Sequence, residues 1–331
     1  MYFTGKKVLV IGGTGTIGKS IVRSILKENP QLIRIFSRDE YKQHLFQKEL
    51  SNYKNVEFII GNIRFYERLL EAMNDIDYVF HLAAMKHVDI CERNPYEAVM
   101  TNIYGMNNVI KAAMNQRVKK VVFTSSDKAV SPTNVYGATK LIAEQLITAT
   151  EMNSSIRQTT FASVRFGNVM GSRGSVIPLM KEQILKEQKV TVTNMDMTRF
   201  MMTIAQATDL TIKALQEAKG GEVFVLKMPV VRLGTLVELL IEELCHTYSL
   251  KKEEIEVVVT GLRPGEKMYE ELMTLDESKK AWELKDMYVL TNAQTSYEKG
   301  QKAKVGTYRS NNEQPLKSHE LRKLLKNASL I

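Results

Sequence analysis

The sequence has few cysteines and no long apolar run, and both absences narrow the class of protein. Cys91 and Cys245 are its two cysteines among 331 residues, so we expect two buried free thiols rather than a disulfide framework. No run reaches the roughly 18 apolar residues that a membrane span needs, and a strand pattern begins close to the first residue. We therefore expect a cytoplasmic protein with no membrane segment or signal peptide.

The sequence also lacks a zinc-ligand spacing, an internal repeat and the aromatic-basic interleaving typical of nucleic-acid-binding chains. Its net charge is +9, but the last 31 residues hold seven Lys or Arg against two Glu, a net +5. Most of the excess charge thus lies in a segment that we expect to be a loosely held tail. Small anionic ligands explain the remaining charge better than a nucleic acid does, and we expect no metal site.

Short apolar runs alternate with helical patterns through the first half of the chain. Five runs predict buried parallel strands, at residues 7–11, 33–36, 56–60, 78–82 and 121–124, and a helix is predicted from about 96 to 114. This pattern predicts an α/β fold with a doubly wound parallel (Rossmann) sheet, which binds ligands at the carboxyl ends of its strands. We expect a Rossmann domain over 1–166, a smaller C-terminal ligand-binding lobe mostly over 167–290 with some return to the sheet, and a basic tail over 291–331.

A glycine turn joins the first strand to the first helix. Gly12, Gly15 and Gly18 let the backbone turn tightly, approach a pyrophosphate and pack the helix on the strand, while the helix N-terminus offers free amides. This placement predicts a dinucleotide site. The second strand ends in Arg38 rather than in an acid, and arginine is suited to the 2′-phosphate of NADP. The alternative is a surface arginine paired with Asp39.

Residues 125–140 carry the candidate catalytic groups. The segment 131–134 predicts a turn into a helix on which Tyr136 and Lys140, four residues apart, share one face. A lysine ammonium favours the phenolate of tyrosine, and a hydroxyl of the serines at 125 and 126 could share the proton. The alternative is an ordinary exposed Tyr–Lys pair. Against it, Asp127 and Lys128 place a second acid/base pair beside the first.

The second half of the chain contains groups suited to a diphosphate. The segment 166–175 is polar and glycine-rich, as expected of a loop that lines a ligand. Arg199 and Arg263 follow it, and the guanidinium fork can donate two hydrogen bonds to one phosphate. A structural salt bridge is the alternative for each arginine.

These motifs occur together in one order, ending with Arg-Pro-Gly-Glu-Lys at 263–267. Over residues 5 to about 290 the chain resembles the extended short-chain dehydrogenase/reductases, and among them the UDP-N-acetylglucosamine 4,6-dehydratases that begin pseudaminic acid and related pathways. The resemblance implies Asp127 as acid and Lys128 as base at the sugar, and Tyr136 and Lys140 as the redox pair, with Ser126 beside them. Tyrosine at 136 resembles the branch that inverts C5, since the retaining branch carries methionine there.

The resemblance also implies the binding residues. A tightly bound and recycled NADP is expected to contact Gly12, Thr14, Gly15, Thr16, Ile17, Gly18, Ser37, Arg38, Asn62, Ile63, Ala83, Ala84, Lys86, Asn102, Tyr136 and Lys140. UDP-N-acetylglucosamine is expected to contact Lys86, Asn168, Val176, Arg199, Arg263 and Glu266. We further expect a homo-oligomer, either a dimer or a hexamer.

Several activities remain open at this point. A dehydratase of this type oxidises C4, eliminates the C5 proton with the C6 hydroxyl, and returns hydride with inversion at C5. The same chemistry could stop at a 5,6-ene or retain C5. A UDP-sugar 4-epimerase would share the cofactor site and the Tyr136–Lys140 pair, but it has no need of Asp127 and Lys128. A non-catalytic NADP-sensing protein would keep the glycine turn without a complete catalytic set.

Overall fold

The computed structural model describes residues 1–153, 158–262, 265–291, 297 and 300–331. Arg263, one of the predicted substrate contacts, lies outside the described residues. In chain order the strands are β1 (Lys7–Ile11), β2 (Leu32–Ser37), β3 (Val56–Ile60), β4 (Tyr78–His81), β5 (Lys120–Thr124), β6 (Thr160–Arg165), β7 (Asn168–Val169), β8 (Lys189–Val192), β9 (Thr198–Met202), β10 (Val223–Leu226), β11 (Val230–Arg232), β12 (Glu256–Val259), β13 (Glu271–Met273), β14 (Ala281–Glu283), β15 (Met287–Leu290), β16 (Gln301–Lys302) and β17 (Tyr308–Arg309). The helices are α1 (Thr16–Leu26), α2 (Glu40–Glu49), α3 (Tyr66–Ala72), α4 (Val88–Arg93), α5 (Pro95–Val99), α6 (Gly105–Asn115), α7 (Val135–Asn153), α8 (Val176–Glu187), α9 (Ile204–Glu217), α10 (Leu233–Tyr248), α11 (Leu275–Ser278) and α12 (Ser318–Asn327).

One large sheet carries the fold, in the order β16-β14-β15-β10-β6-β5-β4-β1-β2-β3. The strands from β3 across to β10 are parallel, and β15, β14 and β16 extend the sheet antiparallel beyond them. From β1 the strand order proceeds through β2 and β3 to one edge, and from β4 through β5 and β6 toward the other. The boundary between β1 and β4 is where a doubly wound sheet opens a crevice for ligands. The predicted α/β fold is confirmed.

Helices cover both faces of this sheet. Successive residues of β1 point to opposite faces, so Val8 and Val10 join one core while Leu9 and Ile11 join the other. The first core is closed by apolar residues of α1 and α9, and the second by those of α3, α6 and α7. Burial on both faces explains why the predicted strands are almost continuously apolar.

The predicted helix at about 96–114 is present, with an interruption. A π-helical turn at Met100–Tyr104 joins α5 to α6, and it buries Thr101 and Asn102. One extra residue in a turn shifts the side chains that follow it around the helix, which is a frequent device near functional sites. Here the turn directs Asn102 toward the loop after β4.

The smaller C-terminal lobe has its own core. Apolar residues of α8, β8, α10 and α12 pack together there, and β8 pairs with β12 beside them. A three-stranded sheet, ordered β11-β9-β7, connects this lobe to the main sheet. Hydrogen bonds from Thr133 to the Gly265 oxygen and from Lys267 to the Ser131 oxygen join the lobe to the segment that follows β5.

The expectation of a loosely held C-terminal tail is wrong for the described residues. The strand β16 pairs with β14 in the main sheet, β17 pairs with β13, and α12 packs against the second lobe. Leu321 and Leu325, one turn apart on α12, are both fully buried. These leucines form an apolar stripe that the lysine-rich composition of the segment conceals.

Two further expectations concern the cysteines and the membrane. Cys91 and Cys245 are both buried free thiols, as predicted. Within the described part of the chain, no helix has the length and apolar character needed to cross a bilayer.

Candidate active site

The turn between β1 and α1 is held by close backbone packing. Gly12 has φ +82°, and a Cβ on it would lie 2.8 Å from the Ala83 nitrogen at the end of β4. A Cβ on Gly18 would lie 2.6 Å from the Gly12 oxygen. Gly15 is the N-cap of α1 and has no side chain that could cap the helix. The first amides of the helix therefore stay available. This cradle has the shape and the donors that a pyrophosphate requires.

The end of β2 keeps its arginine accessible. Asp39 caps α2 through the Lys42 amide and forms an ion pair with the Lys42 ammonium, so it is already engaged. Arg38 is exposed and has no ion-pair partner among the residues that the structure describes. Ser37 is held by Gln43, which donates to its hydroxyl over 3.0 Å. The alternative of a surface Arg38–Asp39 pair is therefore not what this strand end forms.

The remaining predicted cofactor residues lie around the same crevice. Asn62 accepts from the Arg64 amide at 3.1 Å and shapes the turn after β3, and Ile63 is buried beside it. The side chain of Asn102 accepts from the Met85 amide at 2.9 Å and donates to Met85 oxygen at 3.0 Å. Its amide also donates to Thr139 on α7. Asn102 thus fastens the loop after β4, which contains Ala83 and Ala84, to the catalytic helix.

A loop from the second lobe closes over the glycine turn. Lys86 donates to the Arg173 oxygen at 2.9 Å, and the Arg173 amide lies 3.4 Å from the Thr16 hydroxyl at the start of α1. Burial, together with the Arg173 charge, lowers the pKa of Lys86. The sequence predicted Lys86 and Thr16 as ligand contacts but gave no role to Arg173. Its approach to α1 spans 157 residues of sequence, so no local pattern reveals it.

The helix α7 begins as predicted. Asn134 accepts from the Gly137 amide at 2.8 Å, which caps the helix. Tyr136 and Lys140 both point inward and are buried. Lys140 donates to the Thr124 oxygen at 2.7 Å and lies over the Phe123 ring at the end of β5. The pair is therefore buried and is not an exposed Tyr–Lys pair.

The expected lowering of the Tyr136 pKa by Lys140 is not what this chain produces. Burial raises the pKa of Tyr136 to about 12, although the Ser126 hydroxyl and the Lys128 charge act in the opposite direction. Burial also lowers the pKa of Lys140 to about 7, against the attraction of Glu144. Of the two candidate serines, Ser126 is the one whose hydroxyl reaches Tyr136.

The Asp127–Lys128 pair lies in a short 3₁₀ turn directly after β5. Ser126 donates a hydrogen bond to one Asp127 oxygen at 2.7 Å, and Lys128 donates to the other at 2.9 Å. Asp127 is almost fully buried, whereas the Lys128 side chain is 31% exposed. Asp127 is therefore the more deeply buried member of the pair, and part of the Lys128 side chain is accessible.

The chain's own groups hold this pair as an ion pair. Burial alone would raise the pKa of Asp127, but Lys128, Ser126 and Glu270 together lower it. Burial alone would lower the pKa of Lys128, yet Asp127 and Glu270 raise it. The proton thus rests on lysine, whereas the roles implied by the resemblance need it on the aspartate.

Glu270 is a site residue that the sequence analysis missed. It is buried, and one of its oxygens lies 3.5 Å from the Lys128 nitrogen. Burial and the charge of Asp127 raise its pKa to about 7, despite Lys128, Arg199 and Asn168. A sequence signal was present, because Glu270 lies four residues after Glu266 of the Arg-Pro-Gly-Glu-Lys motif. What places it here is the long-range contact with the Phe200 amide on β9, at 3.0 Å.

Two of the predicted substrate residues, Asn168 and Arg199, contact Glu270. Asn168 donates to both its oxygens at 2.9 Å, and Arg199 lies 3.4 Å from it. Arg199 also lies 3.4 Å from Glu266. Val176 is half-buried at the start of α8, which follows the loop after β7 and Asn168.

The segment that carries Glu266 is tied to the catalytic turn. Thr133 donates to the Gly265 oxygen at 2.8 Å, and Lys267 donates to the Ser131 oxygen at 2.7 Å. The lobe and the start of α7 are therefore joined at the crevice. Hydrogen bonds connect Ser126, Asp127 and Lys128, and Glu270 lies 3.5 Å from the Lys128 nitrogen, so several groups that can exchange protons lie close together.

Comparison with known proteins places these features in context. Residues 8–292 match the family model described as polysaccharide biosynthesis protein. A UDP-N-acetylglucosamine 4,6-dehydratase (inverting) of Campylobacter jejuni is 37% identical, over 94% of this chain and 94% of that protein. A protein of Rickettsia felis named UDP-glucose 4-epimerase is 38% identical, over 99% of this chain and 98% of its own.

Solved structures agree with the fold. The X-ray structure of Pen from Bacillus thuringiensis is 57% identical, covers 100% of both chains and superposes with a TM-score of 0.94. DesIV, a dTDP-glucose 4,6-dehydratase of Streptomyces venezuelae solved with NAD and TYD bound, is 19% identical over 77% of this chain and 88% of its own, with a TM-score of 0.67. At that identity the likeness concerns the fold alone.

Proposed function

This chain belongs to the polysaccharide biosynthesis protein family, and we propose that it is a nucleotide-sugar 4,6-dehydratase acting on UDP-N-acetylglucosamine. The observation that carries the proposal is the Asp127–Lys128 pair, joined over 2.9 Å at the carboxyl end of β5. Tyr136 and Lys140 are both buried on α7, and Ser126 and Lys128 lie close enough to Tyr136 to affect its pKa. Oxidation of a sugar at one carbon needs only the second pair, whereas removal of water needs a further acid and base. The name of the Campylobacter relative supports this reading.

We propose NADP as the cofactor. The DesIV structure contains NAD instead. The glycine turn, Ser37 and Arg38 would hold its phosphates, and Ala83 lies where the backbone comes closest to the turn. The exposed and unengaged Arg38 supports a 2′-phosphate partner. A cofactor held there would supply a hydride acceptor for C4 of the sugar and a hydride donor for C6. Because this cycle consumes no cofactor, a tightly held NADP suits it.

Tyr136 serves in the first step by accepting the proton of the C4 hydroxyl. With a pKa of about 12, the Tyr136 phenol stays protonated near neutral pH and cannot accept a proton by itself. The Ser126 hydroxyl and the Lys128 charge already favour its phenolate. Lys140, fixed between Thr124 and Phe123, supplies a second group that can share the proton.

Asp127 and Lys128 serve in the elimination. The C4 ketone acidifies the C5 proton, Lys128 as a free amine removes it, and Asp127 as a carboxylic acid protonates the departing C6 hydroxyl. The pair must first exchange its proton, since the chain's own groups keep Lys128 charged. A bound sugar that covers the exposed part of Lys128 would favour this exchange by desolvating the ammonium.

A UDP-sugar 4-epimerase is the second candidate, because a relative with that name is as similar as the dehydratase. Epimerisation needs the cofactor cradle and Tyr136, but it leaves the Asp127–Lys128 pair and Glu270 without a task. Within the dehydratase reading, Tyr136 favours inversion at C5. Retention of C5, or arrest at the 5,6-ene, would use the same residues. A non-catalytic NADP-binding protein has no use for either acid/base pair.

The test is incubation of the purified protein with UDP-N-acetylglucosamine, followed by NMR and mass spectrometry of the first product. A dehydratase yields a keto sugar lighter by one water. An epimerase yields a product of unchanged mass, and an unchanged substrate contradicts both. In D₂O the dehydratase places deuterium at C5, and the coupling pattern of the product gives the C5 configuration. A role in pseudaminic acid synthesis, a homo-oligomeric state and a cytoplasmic location remain predictions from the sequence.

A further inference from the structure

Gly137, the third residue of α7, lies directly against the peptide of Lys128. It is buried, and a Cβ on it would lie 2.1 Å from the Lys128 oxygen and 3.1 Å from the Pro132 Cβ. The corresponding approach is 2.8 Å at Gly12 and 2.6 Å at Gly18, so the contact at Gly137 is tighter than those of the glycine turn. Real Cβ atoms essentially never come within 3.0 Å of another atom. No residue with a side chain therefore fits at this spacing.

The two sides of this contact carry the two proposed acid/base pairs. On one side, Tyr136 precedes Gly137 in α7, and Lys140 follows three residues later. On the other side, Lys128 supplies the oxygen that Gly137 faces, and Asp127 precedes it in the same short turn. Lys128 is near enough to lower the pKa of Tyr136. The contact at Gly137 therefore sets how close one pair lies to the other.

Each side of the contact is also held by a hydrogen bond of its own. Lys140 donates to the Thr124 oxygen at 2.7 Å, which fixes α7 three residues beyond Gly137. The Asp127 amide donates to the Phe166 oxygen at 3.1 Å, which fixes the turn after β5 to the end of β6. Room for a Cβ at position 137 must come from the short stretch between these two bonds. That stretch carries one member of each pair.

We propose that Gly137 is a positioning residue that couples oxidation at C4 to the removal of water by holding Tyr136 close to Lys128. This inference rests on the proposed dehydratase function. Since C4 and C5 of the sugar are bonded to each other, both pairs must reach one bound sugar in one position. A side chain at 137 would separate the pairs by about 1 Å, and a misplacement of about 1 Å can cost about 10²-fold in rate.

The two steps should not suffer equally. In the first step the C4 hydride goes to the cofactor and the C4 hydroxyl proton goes to Tyr136, and neither transfer needs Lys128. In the second step Lys128 takes the C5 proton, the C5–H electron pair forms the C5–C6 double bond, and the C6 oxygen leaves as water with the proton of Asp127. The side chain added at 137 clashes with Lys128 itself, so the second step should be the one that stalls.

The test is Gly137→Ala in a single turnover with UDP-N-acetylglucosamine. Cofactor reduction is followed by absorbance, and water loss is followed by mass spectrometry of the sugar. Water loss should fall about 10²-fold and cofactor reduction by less than about tenfold, so the ratio of the two rates should rise at least about tenfold and reduced cofactor should accumulate. An unchanged ratio, whether both rates fall together or both stay as in wild type, overturns the inference. A common fall is what a general loss of folded protein produces.

Gly234→Ala is the matched control. Gly234 lies in the first turn of α10, and a Cβ on it would lie 2.9 Å from the Met195 oxygen, so it too is a helical glycine packed against a backbone carbonyl. Its helix packs in the core of the second lobe. The variant should lose stability in urea and keep the wild-type ratio of the two rates. A ratio raised as far as in Gly137→Ala would mean that the ratio reports packing in general, which contradicts the inference.

Asn134→Ala covers the case in which Gly137→Ala does not fold. Asn134 accepts from the Gly137 amide at 2.8 Å, and its removal frees the first turn of α7 to move away from Lys128 while Gly137 and both pairs are retained. The ratio of cofactor reduction to water loss should rise, by a smaller factor than in Gly137→Ala. An unchanged ratio contradicts the inference. The proposed function fails differently: wild type itself would then release no water from the substrate, whatever residue stands at 137.

Discussion

The chemistry proposed for this chain depends on the proton affinities of three side chains, Tyr136 on α7 and Asp127 and Lys128 after β5. Tyr136, Lys128 and Asp127 are each ordinary residues whose proton affinity is changed by burial and by one another. Their pKa values are shifted in the directions that hold Tyr136 and Lys128 protonated and Asp127 ionised. Catalysis by these groups therefore requires a substrate-dependent redistribution of protons.

Replacement of Tyr136 tests the first of these groups. Tyr136→Phe removes the oxygen that we propose accepts the C4 proton and leaves the ring packed beside Cys91 and Ala98. Loss of one general base typically costs about 10²–10⁴-fold in rate, so turnover should fall by that amount with folding and cofactor content unchanged. Tyr96→Phe, at an exposed tyrosine, is the control. Turnover of Tyr136→Phe within a few-fold of wild type would remove Tyr136 from the mechanism.

Replacement of Arg38 tests the cofactor assignment. Arg38→Asp exchanges a partner of the 2′-phosphate for an acceptor of the 2′-hydroxyl, and it should weaken NADP and favour NAD. The measurement is the cofactor retained on purification, together with Kd values for both dinucleotides. Arg23→Asp reverses a charge on the exposed end of α1 and should change neither. Undiminished NADP retention by Arg38→Asp contradicts the assignment.

At the scale of elements, the sequence is sufficient to predict a feature when the residues that form it are close together in the chain. The glycine turn, the Asn134 cap of α7 and the alternating faces of β1 each depend on residues within one turn or strand, and all were predictable. Glu270 was not, because its position depends on contacts with β9 and the loop after β6. The closure of Arg173 over α1 is equally non-local.

The helix α12 shows how composition can mislead. Its segment is rich in Lys and Arg, which indicated a solvated tail. The spacing of Leu321 and Leu325, one helical turn apart, was the better signal. Their burial against α10 and α8 makes the C-terminal segment part of the second core.

This packing can be measured. Leu325→Ala leaves a cavity in a fully buried position, and such changes destabilise proteins by about 2–5 kcal/mol. Urea denaturation should show a loss in that range, whereas Lys323→Ala on the exposed face of α12 should change little. Equal stabilities of the two variants would mean that α12 does not contribute to the folded core.

At the scale of the whole molecule, a buried ion cluster joins the sheet, the catalytic helix and the C-terminal region. Arg165 at the end of β6 donates to Glu144 on α7 at 2.6 Å and to Glu277 on α11 at 3.0 Å. Arg165 and Glu144 are each only 2% exposed. The same α7 carries Lys140 one turn earlier, so this cluster fixes the catalytic helix relative to the sheet.

Breaking the cluster should affect the whole fold. Glu144→Gln leaves the Arg165 charge partly uncompensated in the interior, and removal of one partner of a buried pair typically costs about 3–5 kcal/mol. Urea denaturation measures the loss. Glu182→Gln removes one partner of the exposed Glu182–Lys186 pair on α8 and should have little effect. A change at Glu144 no larger than that at Glu182 would show that the buried cluster is not structural.

The role of Lys128 as the base at C5 is tested most directly by Lys128→Ala with UDP-N-acetylglucosamine in D₂O. The variant should still reduce the cofactor, because we assign C4 oxidation to Tyr136 and Lys140, but it should release no water and place no deuterium at C5. Lys119→Ala, which removes a surface lysine paired with Asp77 at the start of β5, should behave as wild type. Dehydration by Lys128→Ala at near wild-type rate, with deuterium at C5, would show that another residue is the base.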